Sequence, residues 1–192
     1  MPQPDGQLPE IVVQPGESRL VTEPAMLRTL LGSCVGVAFR DPRLGIAALC
    51  HPMMPRVPAR LTASLGRTAG RRYVEFAIRE MARRFDELGA RRGDIQVKLF
   101  GGGDVLPVDP CTRRPSVGRM NSEAALKTAE EEGLSVTASS LGGTRGVNIY
   151  FNTVTGEVLL QRHSQTFASA QTVSRLLHPG NALLSVEVED LP

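Results

Sequence analysis

Short apolar runs, broken by glycine, proline and aspartate turns, carry this chain from residue 11 to residue 161. Ile11-Val12-Val13, Leu27 to Leu31, Val35 to Phe39, Gly45 to Cys50, Gln96 to Phe100, Leu134 to Ser139, Val147 to Phe151 and Glu157 to Gln161 all have strand length and strand bounds. Helical spacing is much rarer. Val74, Ala77, Ile78, Met81, Phe85 and Leu88 recur at offsets of three and four, with Gly89 as a stop. Asn121 suits the N-cap of a second helix running to about Glu132, closed by Gly133. Strands outnumber helices, and short turns join several of them. The expectation is an α+β fold with mixed or antiparallel sheets and two main helices packed on them.

The length of 192 residues suits one domain and a tail. Residues 1–162 read as the domain, with the polar, Pro-rich residues 1–9 loose. Residues 163–192 read as a weakly patterned tail that either docks a short helix (172–178) and an edge strand (184–188) or stays mobile. Residues 52–70 and 104–120 read as long loops, a class that is often functional in compact domains. A net charge of +2 and the absence of Trp argue against nucleic acid as the main partner. Nothing resembles a signal peptide or a membrane span, and the three cysteines form no disulfide framework. A cytoplasmic setting with reduced thiols follows.

Cys34 sits within Gly32-Ser33-Cys34-Val35-Gly36. A nucleophile on a sharp turn needs small neighbours so that the chain can turn and substrate can approach. The amides of such a turn, at Gly32 and Ser33, can face a developing oxyanion. A buried core cysteine would leave the same trace. His51 closes an apolar strand beside Pro52. It reads either as the base that a thiol needs or as a strand-end histidine bonded to a carbonyl. Successive strand residues face opposite ways, so a cleft-facing His51 sends Cys50 into the core. Cys111 has no base near it in sequence and reads as incidental. No cysteine or histidine spacing suits a metal. The runs Gly101-Gly102-Gly103 and Leu141-Gly142-Gly143-Thr144-Arg145-Gly146 match no phosphate loop. They suit close backbone approach, to substrate or to each other. The pairs Arg71/Arg72, Arg83/Arg84 and Arg91/Arg92 read as a solvated face or a docking surface for an acidic partner.

Five collinear segments resemble the CheD family of chemoreceptor glutamine deamidases. They are Leu31-Gly32-Ser33-Cys34-Val35, His51-Pro52-Met53-Met54-Pro55, Phe100-Gly101-Gly102-Gly103, Leu141 to Gly146, and Tyr150 to Gly156. The 17-residue separation of Cys34 and His51 also fits that family. The resemblance implies a sandwich related to toxin-type cysteine deamidases and a Cys–His–Thr site. It carries Cys34 and His51 over directly. The family's threonine usually lies one position earlier than Thr29, where this chain has Arg28; Thr29 is the residue assigned. Val117-Gly118-Arg119-Met120-Asn121 departs from the family, which more often has arginine before that asparagine.

By the same resemblance, the activity is deamidation of receptor glutamines to glutamate through a thioester, with receptor methyl-ester hydrolysis open to the same thiol. No cofactor is implied. The partners implied are the cytoplasmic helices of methyl-accepting chemoreceptors and a CheC-type response-regulator phosphatase. Met54, Gly102 and Gly103, in or beside the two long loops, are the candidates for the substrate groove. A non-catalytic adaptor of the same fold and a papain-like thiol peptidase or acyltransferase are the competing readings.

Overall fold

The computed structural model describes residues 8–61, 64–105 and 115–163. The strands, in chain order, are β1 (Glu10–Val12), β2 (Ser18–Val21), β3 (Met26–Leu31), β4 (Val35–Asp41), β5 (Ile46–Cys50), β6 (Gln96–Gly101), β7 (Ser135–Leu141), β8 (Val147–Asn152) and β9 (Val158–Arg162). The helices are α1 (Arg67–Gly70), α2 (Val74–Glu87) and α3 (Val117–Glu131). The strands form a four-stranded sheet, β1-β3-β8-β9, and a five-stranded sheet, β2-β5-β4-β6-β7. Both are mixed: β1 runs parallel to β3 and β6 parallel to β7, and the remaining pairs are antiparallel. The α+β expectation holds.

Two apolar cores make three layers. One core lies between the sheets and joins Leu27, Leu31, Ile149 and Phe151 of the small sheet to Ala38, Ala47, Leu49 and Phe100 of the large one. The other lies between the large sheet and the helices, where Val37, Phe39, Ala48 and Cys50 meet Ile78, Met81, Phe85 and Ala125. The alternation of side chains along β4 and β5 supplies both layers at once. That is why those strands read as continuous apolar runs. Phe39 and Phe85 close the outer core with ring centroids 5.8 Å apart.

α2 forms on the stripe expected for it, but Leu88 falls past its end and is exposed. The stop is a Schellman turn. Ala90 N–H donates to Phe85 O at 3.0 Å, with Gly89 at a φ of 87°. The other helix starts earlier than its apparent cap. Ser116, not Asn121, is the N-cap of α3, and its Oγ accepts from Arg119 N at 3.1 Å. Asn121 lies one turn inside and is fully buried. Gly118 disguises this start, because glycine disfavours helix. Here packing overrides propensity: a Cβ at Gly118 would sit 2.4 Å from Gly103 O and 2.5 Å from Gly102 O.

β2 has no apolar pattern of its own and is made by pairing with β5, Ser18 opposite Cys50. α1 and a single 3-10 turn (Ala59–Leu61) interrupt the stretch expected to be loop. Arg71 is not part of a solvated face: its guanidinium makes two hydrogen bonds, 2.8 and 2.9 Å, to the buried carboxylate of Glu80. Of residues 1–9, Pro9 is fastened, its carbonyl accepting from Met26 N at 2.9 Å. Cys111 and the expected tail elements at 172–178 and 184–188 lie outside the described residues.

Candidate active site

The turn that carries Cys34 is the corner where the chain crosses from one sheet to the other. β3 ends in the small sheet at Leu31, paired with Val147. β4 begins in the large sheet at Val35, paired with Gly101. Only Gly32-Ser33-Cys34 joins them.

All three carbonyls of this corner are held. Gly32 O accepts from Gly103 N at 2.9 Å, and Cys34 O accepts from Gly102 N at 2.8 Å. Ser33 O accepts from Asn121 Nδ2 at 2.8 Å. Among the described residues, the N–H groups of Ser33 and Cys34 donate to no acceptor.

The glycine run makes this grip possible. Gly101 has a φ of 85°, and a Cβ there would stand 2.4 Å from Cys34 O. Gly102, at a φ of 66°, would push a Cβ into Ser122 Oγ. Both positions need glycine for conformation and for space. Gly102 and Gly103 are buried and give their amides to the corner. They build the turn rather than line a groove. The second glycine-rich run backs the first: Gly142 N donates to Gly101 O at 2.8 Å, and Asp104 N to Gly143 O at 2.7 Å. Gly36 serves packing, since a Cβ there would meet Leu31 Cδ1 at 2.8 Å and Ile149 Cδ1 at 3.1 Å.

His51 reaches the same face from the neighbouring strand. The β4–β5 register sets Val37 opposite Cys50. Continued by one step, it sets Gly36 opposite His51, and Val35 N still reaches Pro52 O at 3.3 Å. Cys34 lies two residues before Gly36 and packs against the core between the sheets. His51 faces away from Cys50 and turns into that same layer, where its ring meets Thr29 of the opposite sheet. Cys50 points the opposite way, into the helix-side core, and is fully buried.

Thr29 comes from the opposite sheet. On β3 it shares the inward face of Leu27 and Leu31 and is 4% exposed. Arg28 faces outward and pairs with Glu10 at 2.5 Å. Thr29 Oγ1 donates to Val13 O at 2.7 Å and lies 2.7 Å from His51 Nδ1. The hydroxyl has one proton, and Val13 takes it. Nδ1 must then carry its own proton and donate to Oγ1, which leaves Nε2 bare. His51 is 2% exposed. Burial lowers its pKa to about 4, against a smaller opposing pull from the Val13 carbonyl. Burial also pushes the Cys34 thiol up to about 11, with no nearby charge to offset it. At neutral pH the pair rests as thiol and neutral imidazole rather than as thiolate and imidazolium.

Met54 is 47% exposed, on the segment leading out of the site, and its backbone pairs with Tyr73. Asn121 was hidden from sequence reasoning by its aptness as a cap. Its Nδ2 also donates to Met53 O at 2.9 Å, so it joins the Cys34 corner to the segment after His51. No group of His, Cys, Asp and Glu among the described residues is arranged to hold a metal ion.

The family model described as CheD chemotactic sensory transduction matches residues 53–162. The probable chemoreceptor glutamine deamidase CheD 2 of Geobacter sulfurreducens is 40% identical over 164 residues, covering 85% of this chain and 96% of that protein. The probable chemoreceptor glutamine deamidase CheD of Pseudomonas syringae pv. tomato is 38% identical over 150 residues, covering 78% and 86%. Among solved structures, the Bacillus licheniformis hypothetical protein YfiH aligns over 64% of this chain and 49% of its own, with a TM-score of 0.40 and 14% identity. On the family model and the extent of the likeness to these relatives, this chain belongs to the CheD family.

Proposed function

We propose that this chain is a cysteine-dependent amidohydrolase that converts glutamine side chains of bacterial chemoreceptors to glutamate. The observation that carries the chemistry is the chain Val13 O, Thr29 Oγ1, His51 Nδ1. It commits the imidazole to the tautomer whose free nitrogen is a base, in the layer that Cys34 also enters. The names of the relatives supply the substrate class.

His51 Nε2 takes the thiol proton as Cys34 Sγ attacks the carboxamide carbon. To the oxyanion we assign the N–H groups of Ser33 and Cys34 in place of the Gly32 and Ser33 pair expected from sequence, because the carbonyls opposite them are drawn away to Gly103 and Asn121. The imidazolium returns its proton to the nitrogen, the C–N bond breaks and ammonia leaves. His51 then draws a proton from water, hydroxide adds to the thioester, and the C–S bond breaks to release glutamate and regenerate the thiol. Because both groups rest neutral, the proton moves during attack, and substrate that excludes water strengthens the transient ion pair.

The glutamine is presented on a receptor helix in the cytoplasm, with Met54 on the rim that receives it. The same thiol is open to receptor glutamyl methyl esters, and a CheC-type phosphatase is the second partner we assign on family resemblance. The test is ammonia release and peptide mass on a glutamine-bearing receptor fragment. Wild-type protein should deamidate it and Cys34→Ala should not. An active Cys34→Ala would remove the nucleophile assignment. A wild-type protein that binds receptor without releasing ammonia would make the chain an adaptor, and cleaved main chain would make it a peptidase.

A further inference from the structure

We propose that Asn121 is a positioning residue for the reaction, a clip that sets the distance between the nucleophile corner and the histidine segment. This rests on the proposed thiol mechanism and goes beyond it. Asn121 comes from α3, on the far side of the large sheet from Thr29, and is fully buried. Its one amide nitrogen donates to two carbonyls, Ser33 O at 2.8 Å and Met53 O at 2.9 Å. Ser33 directly precedes Cys34, and Met53 lies two residues past His51.

Both partners are acceptors, so only the NH2 group can face them. The amide orientation is thereby forced. Its Oδ1 is also buried and finds no hydrogen-bond partner among the described residues. The placement therefore serves the nitrogen, since a buried acceptor left unmatched costs stability. α3 is seated for this task. Gly118 lets its first turn press onto Gly102 and Gly103, whose amides hold the flanking carbonyls of the same corner. Helix and glycine run thus hold Gly32, Ser33 and Cys34 as one unit, and Asn121 extends the grip to the His51 side, where the strand ladder adds a longer bond of 3.3 Å from Val35 N to Pro52 O.

The clip acts through backbone and touches no substrate, so it should alter turnover more than binding. The experiment uses the full chain with Asn121→Ala and Asn121→Asp on a glutamine-bearing receptor fragment. It reads kcat and KM per folded molecule, and iodoacetamide labelling of Cys34 by peptide mapping. Alanine raises helix propensity, which favours a folded variant. Aspartate keeps the shape but sets oxygen against two carbonyls. The expected result is a kcat about thirtyfold lower in Asn121→Ala and lower still in Asn121→Asp. KM should stay near wild type, and Cys34 should label faster as the corner loosens.

A filler of space predicts the reverse order, with alanine worse than aspartate through the cavity it leaves. That order, or wild-type kcat in both variants, overturns the inference. Should Asn121→Asp not fold, Asn121→Ala decides by its kcat and labelling rate. The mechanism's own failure looks different: Cys34→Ala would remain active. An inactive Cys34→Ala beside a fully active Asn121→Ala removes the clip alone.

Discussion

Replacing Thr29 with valine keeps the shape of the side chain and deletes its hydroxyl. That hydroxyl makes two contacts of 2.7 Å, to Val13 O and His51 Nδ1, where Thr29 is 4% exposed. Water cannot readily take its place. A buried polar group left without a partner costs about 1–3 kcal/mol. In Thr29→Val both the ring N–H and the Val13 carbonyl lose the hydroxyl that joins them at 2.7 Å. The imidazole then regains the freedom to rotate or to carry its proton on Nε2, and either change removes the base. If about 2 kcal/mol of this falls on the productive ring geometry, kcat drops about thirtyfold. Ammonia release from a receptor fragment, followed at saturating substrate, measures it. Thr29→Ser restores the hydroxyl and should return to within about threefold of wild type. Wild-type turnover in Thr29→Val, or a serine variant as poor as the valine one, would refute the assigned role.

Three further outcomes follow from the same geometry. With His51 protonating near 4 and Cys34 ionising near 11, kcat/KM should be flat from about pH 6 to 9. A limb falling inside that range would contradict the resting thiol and neutral imidazole. Gly101→Ala should lower stability in urea melts by about 3 kcal/mol, combining a left-handed backbone with a clash against Cys34 O; an unchanged midpoint contradicts the corner as described. Arg71→Ala strands the buried Glu80 carboxylate and should cost about 3 kcal/mol at neutral pH. Burial raises the Glu80 pKa, but Arg71, with Arg84 and Arg67 adding to it, more than offsets this and holds it low. The stability that Glu80 supplies is therefore present above the ordinary carboxylate range and lost as pH falls through its folded value. The gap between variant and wild type should narrow in acid, and a gap independent of pH would count against the ion pair.

Much of this site was legible in the sequence because it depends on local geometry. The runs that became β4 and β5 are apolar on both faces, as strands between two cores must be, and alternation alone sends Cys50 away from His51. Gly89 and the stripe from Val74 to Phe85 define α2 without tertiary help. What stayed hidden depends on distant partners. β2 exists because β5 offers it an edge. Gly118 looks like a helix breaker until the carbonyls of Gly102 and Gly103 are seen against it. Asn121 has the composition of a cap and the position of a clip, and nothing nearby in sequence distinguishes the two. That Thr29 rather than Arg28 meets His51 follows from which face of β3 looks inward, and that is set by the sheet packed against it.

The protonation of one ring bears most directly on the account. Nitrogen-15 NMR of histidine-labelled protein, titrated from pH 3 to pH 9, reads the tautomer and the pKa of His51 together. The account predicts a neutral ring with its proton on Nδ1 and a bare Nε2 across the neutral range, protonating only near 4. An imidazolium at pH 7, or a neutral ring carrying its proton on Nε2, would contradict it.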